Sequence, residues 1–150
     1  MKRKTAREFL MKVLFQMDAS GEFSADNIEK IISGTSLGEQ RDYCTSLLSR
    51  VCEHKESIDE LIAKFSTSRK VERMPKTDIS ILRLSVTEIV YFDDIPIAVS
   101  INEAVELAKK YGTEQSPKFV NAILGSIGND RSSDLRRTSS YLFLLEYWQL

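Results

Sequence analysis

The chain has 150 residues, 42% of them hydrophobic and 29% charged, with a formal net charge of −1; it is long enough to bury one continuous core without metal or disulfide support. Three prolines and six glycines exclude a disordered or collagen-like polymer, and the near-neutral balance excludes a uniformly basic nucleic-acid binder. The only cysteines, Cys44 and Cys52, fall in one helical pattern about 12 Å apart along its axis and cannot bridge there, so reduced thiols are expected. Charges interrupt the first ten residues, so no secretory core is read there, and a cytoplasmic protein without a membrane span is expected.

The first predicted helix takes Thr5 as its cap with Glu8 reaching back, and places Ala6, Leu10, Val13, Leu14 and Met17 on one stripe before stopping at Ser20 and Gly21. Lys2, Arg3, Lys4, Arg7 and Lys12 face only Glu8 in this region, which puts a basic tip on an acidic body. Cations at a helix start oppose the macrodipole by up to about 1 kcal/mol, so folding does not ask for them, whereas a phosphate backbone would. Phe15 falls nearly opposite the apolar stripe. A short helix follows from Ala25 to Ile32, closed by Ser33 and Gly34, and Thr35 to Gly38 reads as a loop.

From Glu39 to Met74 there is no glycine or proline. Cys44, Leu47, Leu48 and Val51 recur at i, i+3, i+4 and i+7, and Ile58, Leu61, Ile62 and Phe65 repeat those offsets, which fits either two helices or one bent helix. Pro75 then starts a helix with Ile79, Ile81, Leu82, Leu84, Val86, Ile89 and Val90 around most of its circumference, as in a buried central helix. Asp93 and Asp94 read as a solvated loop. Ser100 and Glu103 form a Ser-x-x-Glu box, Val99 and Ala104 stand at staple positions, and Gly112 is expected left-handed, so a helix is predicted from Ser100 to Tyr111. Ser116 is the expected cap of the next helix and Pro117 its first residue, with Val120, Ile123, Leu124 and Ile127 as its apolar stripe. Phe119 lies about 90° from the centre of that stripe, on the border between core and solvent.

These elements predict an all-α protein, a compact helical bundle of about seven helices in a domain spanning 1–130, followed by a C-terminal extension over 131–150. Within the extension, residues 131–140 are polar and Tyr141 to Leu150 are almost continuously apolar. The apolar run is too short to span a bilayer and reads as a cover for part of the bundle, a self-association segment or a membrane-surface contact. No catalytic residue, metal site or cofactor is predicted: His54 stands alone in a charged segment, the cysteines lack metal-ligand company, and no phosphate-cradling glycine loop exists.

Ile101 to Lys109, reading INEAVELAK, followed by Lys118, Phe119, Val120 and Asn121, with Asp78 to Leu84 and Ala6 to Glu8 upstream, closely resembles the NusB family of transcription antitermination factors. The resemblance covers roughly Lys2 to Gly128. It implies two three-helix subdomains sharing a core, divided near Pro75. It further implies a cytoplasmic, non-enzymatic factor that binds single-stranded boxA-like RNA of ribosomal RNA operons together with NusE, a small-subunit ribosomal protein, in an antitermination complex with RNA polymerase. By the same resemblance Lys2, Arg3, Lys4 and Arg7 match the basic N-terminus that contacts RNA, with Thr5 standing where that run often continues. Lys118 and Phe119 match positions that contribute to RNA binding, and a border aromatic beside a lysine suits the stacking of a splayed base. Phe15 matches a partner-facing position where the family tends to carry tyrosine, Asp78 matches an acidic position that pairs with NusE but reads equally well as a first-turn carboxylate favoured by the helix dipole, and Arg83 is either structural or interfacial. A homodimer is a further expectation. Two alternatives stand beside this reading: a helical protein-interaction module without RNA binding, and a regulatory domain related to the N-terminal domains of RNA methyltransferases.

Overall fold

A computed structural model describes residues 1–135. The apolar segment from Tyr141 to Leu150, and residues 136–140 before it, lie outside the described residues. Among those described there are six α-helices: α1 (Arg3–Ser20), α2 (Ile28–Ser33), α3 (Arg41–Phe65), α4 (Lys76–Tyr91), α5 (Ile97–Tyr111) and α6 (Ser116–Leu135). Short 3-10 turns at Ala25–Asn27, Gly38–Gln40 and Val71–Arg73 join them, and no strand occurs among these residues. The continuous pattern after Glu39 resolves as one bent helix, with non-helical backbone at His54 (φ −120°, ψ 21°). The imidazole there stacks on Tyr91 at 4.6 Å.

α4 is the axle. Every residue from Asp78 to Ile89 is buried, and the helix packs against α1, α3, α5 and α6. The halves α1–α3 and α4–α6 share one core containing Leu10, Leu14, Leu48, Leu82 and Leu124. α6 runs on to Leu135, so the boundary predicted at residue 130 falls inside a helix.

Three predicted helix starts are corrected. α1 begins at Arg3 with Lys2 in the capping position, and Ala6 already donates to the Lys2 carbonyl, so Thr5 is not the cap. α5 begins at Ile97 after Pro96. Ser100 is thereby inside the helix, buried, and its hydroxyl donates to Glu88 at 2.8 Å, while Val99 is 40% exposed and staples nothing. Ser116 is the first residue of α6 rather than its cap, and its hydroxyl accepts from the Thr113 amide at 2.9 Å.

Gly112 is extended (φ −91°, ψ −166°), not left-handed. Its constraint is space: a Cβ would lie 2.5 Å from the Ser116 side chain and 2.8 Å from the Ala108 carbonyl oxygen. Glycine therefore lets α5 and α6 close on each other.

One buried carboxylate ties the bundle together. Glu88, 1% exposed on α4, accepts Arg7 Nε at 2.8 Å and Arg7 Nη2 at 3.1 Å from α1, and the Tyr43 hydroxyl from α3. With Ser100 from α5, three surrounding helices donate to one side chain of the fourth. Burial, then the charge of Glu88, pushes the Tyr43 phenol far above its usual value, so it remains a donor. Burial opposes the Arg7 charge, but the hydrogen bonds and charge of Glu88 outweigh it and hold the guanidinium protonated.

Candidate nucleic-acid interface

The predicted basic tip is smaller than its sequence. Arg7 is 6% exposed and committed to Glu88, so it is removed from the expected RNA-contacting set; the buried carboxylate needs a bidentate cation, and that explains an arginine here. Arg3 is half-buried, its guanidinium 3.9 Å from the centre of the Tyr43 ring and its Nε donating to Gln40. This stacking anchors the first turn and occupies the side chain. Lys2 and Lys4 remain exposed. Lys4 shares a groove with Glu8, Glu103, Glu106, Lys109 and Lys110, a mixed-charge surface in which Glu8 and Glu106 are already paired with Lys110 and Lys109.

The stronger cationic surface lies at the α5–α6 turn. Lys118 is exposed and Phe119 half-buried at the core's edge. Arg69, from the loop after α3, holds its guanidinium 5.5 Å from the Phe119 ring centre, within cation–π range. Ser66, Thr67, Ser68, Arg69 and Lys70 line a concavity of about 310 Å³ beside it. Among the described residues no carboxylate lies within ion-pair distance of Arg69, Lys70 or Lys118. On the other side of the turn, Lys12 and Lys110 place their ammonium groups 5.4 and 5.3 Å from the Tyr111 ring centre. Lys110 also pairs with Glu8 at 2.6 Å, and the hydrogen bond from Lys110 holds the Glu8 carboxyl below its usual range.

Two aromatic rings, each with cations over it, thus flank the turn that Gly112 tightens. Cations and ring faces are the components of a single-strand nucleic-acid surface, although the Ser66 hydroxyl is spent on the Arg69 carbonyl and Lys110 on Glu8. The sequence singles out Lys118 and Phe119 as candidates; the fold adds Arg69 over the Phe119 ring, and Lys110 and Lys12 over Tyr111. The signal available was Arg69 and Lys70 as adjacent cations just past a helix end. Only the fold brings that loop to α6.

Of the expected partner-facing residues, Phe15 is half-buried and outside the core cluster, so part of its ring reaches the surface. Asp78 is 2% exposed; it sits in the first turn of α4, where a carboxylate is favoured by the helix dipole, and offers no surface to a partner. Arg83 is also corrected, to a structural role. It is 3% exposed, and it donates to Asp59 from Nε at 2.9 Å and Nη2 at 3.0 Å, and to Asp18 from Nη1 at 3.0 Å.

That clamp has a pH signature. Burial disfavours the Asp18 carboxylate, but hydrogen bonds and charge from Lys76 and Arg83 outweigh it, so its folded value lies below the ordinary 3.8. Its contribution is therefore complete above the unfolded value and drains as pH falls through the lower folded value. Asp18→Asn is expected to lower the urea midpoint at neutral pH and to flatten the acid limb of stability against pH. An unchanged acid limb would show that other carboxylates carry that dependence.

The remaining reactive groups are muted. Burial pushes the Cys44 thiol up to about 11, against a smaller opposing effect of Arg3, and burial also raises Cys52. Among the described residues no cluster of three or more His, Cys, Asp or Glu side chains is placed to hold a metal, and no helix is long and apolar enough to cross a membrane.

Comparison with known proteins places this architecture. The transcription antitermination protein NusB of Alkaliphilus oremlandii is 45% identical over 126 residues, covering 83% of this chain and 91% of that protein. NusB of T. maritima superimposes with a TM-score of 0.77 at 34% identity, covering 86% of this chain and 92% of that one. A crystal structure of antitermination factors NusB and NusE in complex with dsRNA matches with a TM-score of 0.74 at 27% identity, over 85% of this chain and 96% of that one. The NusB family model matches residues 4–129, a span that holds the Glu88 hub and both faces of the α5–α6 turn, and this chain belongs to the NusB family.

Proposed function

We propose that this chain is a transcription antitermination factor that binds boxA-like single-stranded RNA of ribosomal RNA operons together with NusE, and so helps RNA polymerase resist termination. The observation that carries the RNA part is Arg69 lying over the half-buried ring of Phe119, with the exposed Lys118 next to it in sequence. Phosphates meet Arg69, Lys70 and Lys118, a base stacks on the free part of the Phe119 ring, and Lys2 and Lys4 add weaker charge. Phe15 supports a separate contact with the protein partner. Function is binding and positioning in the cytoplasm, with no bond made or broken, and a membership of 45% identity with an antitermination protein supports the cellular role.

The test is fluorescence anisotropy of a labelled boxA-like RNA titrated with the protein, with and without NusE, alongside a duplex of the same sequence. The reading expects the single strand to bind and NusE to tighten it. If NusE binds while neither RNA does, the chain is a protein-interaction module. If only the duplex binds, the face reads helical backbone instead of splayed bases.

A further inference from the structure

A second groove, unrelated to the cationic face, opens between the C-terminal part of α3 and the end of α4. Its floor is Ile58, Leu61, Val86 and Val90, and Tyr91 and Arg131 stand at its sides. Leu61, Val90 and Tyr91 are half-buried at the rim of the core while Ile58 and Val86 are fully buried beneath them. The volume is about 260 Å³, room for one large side chain rather than for a helix. Glu60 and Lys64 edge the opening. Nothing in the proposed RNA or partner contacts uses this surface.

We infer that this groove is the docking site of the chain's own segment Tyr141–Leu150, which inserts an aromatic anchor between α3 and α4. The first argument is position. Arg131, a lining residue, belongs to α6, which continues to Leu135 and packs against α3, α4 and α5. Four helical steps and six extended ones put Tyr141 within roughly 25 Å of Arg131, so reach does not limit the return. The larger groove of the molecule, bordered by Phe9, Val13, Met17 and Ile31, lies on α1 and α2, with which α6 does not pack closely.

Composition is the second argument. Eight of the ten residues from Tyr141 to Leu150 are apolar or aromatic, a run that is costly to leave in water and that the linker of serines, threonine and arginines before it is not. The one charge in the run, Glu146, is compatible with a rim where Lys64 stands beside Glu60. An aromatic anchor in a small, mostly apolar pocket with a polar edge is the arrangement by which a short segment is held.

Trp148 is the chain's single tryptophan, so intrinsic fluorescence of the full-length protein reports the segment directly. The expected result is a blue-shifted emission, protected from acrylamide and unchanged on dilution, which moves to the water-exposed position in both Leu61→Ser and Val90→Ser. Because those substitutions touch the core's rim, circular dichroism must show the fold retained, and Lys64→Glu, fully on the surface, serves as the second variant and is expected to increase quenching several-fold. Emission of a solvated indole in the parent protein would overturn the inference. Protection that disappears on dilution would mean docking onto a second copy, and protection indifferent to all three substitutions would mean docking elsewhere; each of these also overturns it.

Discussion

Arg7→Ala is expected to destabilise the folded chain by about 3–5 kcal/mol, the usual effect of leaving one member of a buried ion pair alone, and to do so at positions far from any RNA. The cause is Glu88: without Arg7 its carboxylate keeps two hydroxyl donors, Tyr43 and Ser100, but loses its only cation. Arg7→Lys is expected to recover only part of the loss, because an ammonium cannot supply the forked pair of N–H donors that spans both carboxylate oxygens. Arg7→Met combined with Glu88→Gln removes both charges while keeping one acceptor oxygen and offering an amide donor to the other hydroxyl oxygen, and is expected to be more stable than Arg7→Ala alone. Urea denaturation followed by circular dichroism compares these variants with the parent, and adding Arg7→Met and Glu88→Gln as single variants completes the cycle that gives the coupling. If Arg7→Ala stayed within about 1 kcal/mol of the parent and lost only RNA affinity, the residue would belong to the RNA face after all.

Arg7 also shows what a single sequence displays and what it conceals. The apolar spacings placed all six helices, and the nearly circumferential pattern from Ile79 to Val90 marked α4 as the buried axle, because helical periodicity reports the direction of the core. Local cap signals were less dependable. Ser100 and Glu103 satisfy a capping box in sequence, yet Ser100 is used by Glu88, twelve residues away, and α5 starts three residues earlier. Charge was the least legible. Arg7 and Arg83 look like surface cations, and their burial follows from Glu88, Asp18 and Asp59, which lie on other helices or elsewhere along the chain. Conversely, Arg69 gains its meaning only from Phe119, fifty residues on. Pairing of charges across a bundle is a tertiary fact with no local period, so the sequence names the candidates without saying which are already spent on the fold.

The unspent cations set the second large effect. Phe119→Leu is expected to weaken single-stranded RNA binding by about 1–3 kcal/mol, the range for losing one base–aromatic stack, which is roughly a five- to 150-fold rise in Kd. Leucine is the informative replacement because the ring also packs against the core's edge; it preserves apolar contact while removing the flat face, so folding and binding separate. Lys118→Ala and Lys70→Ala act differently. In the proposed RNA path each supplies a phosphate contact, so each substitution is expected to lower the slope of log K against log salt by about 0.7 and to weaken all single strands alike. Arg69→Ala is expected to do both, since its guanidinium serves the phosphate and the ring it covers at 5.5 Å. Anisotropy titrations across a salt series distinguish these signatures. Phe119→Leu binding as tightly as the parent would reduce Phe119 to a packing residue. Unchanged salt slopes in both lysine variants would move the phosphate path off the α5–α6 turn and back to Lys2 and Lys4, because those are the exposed cations left on the N-terminal tip.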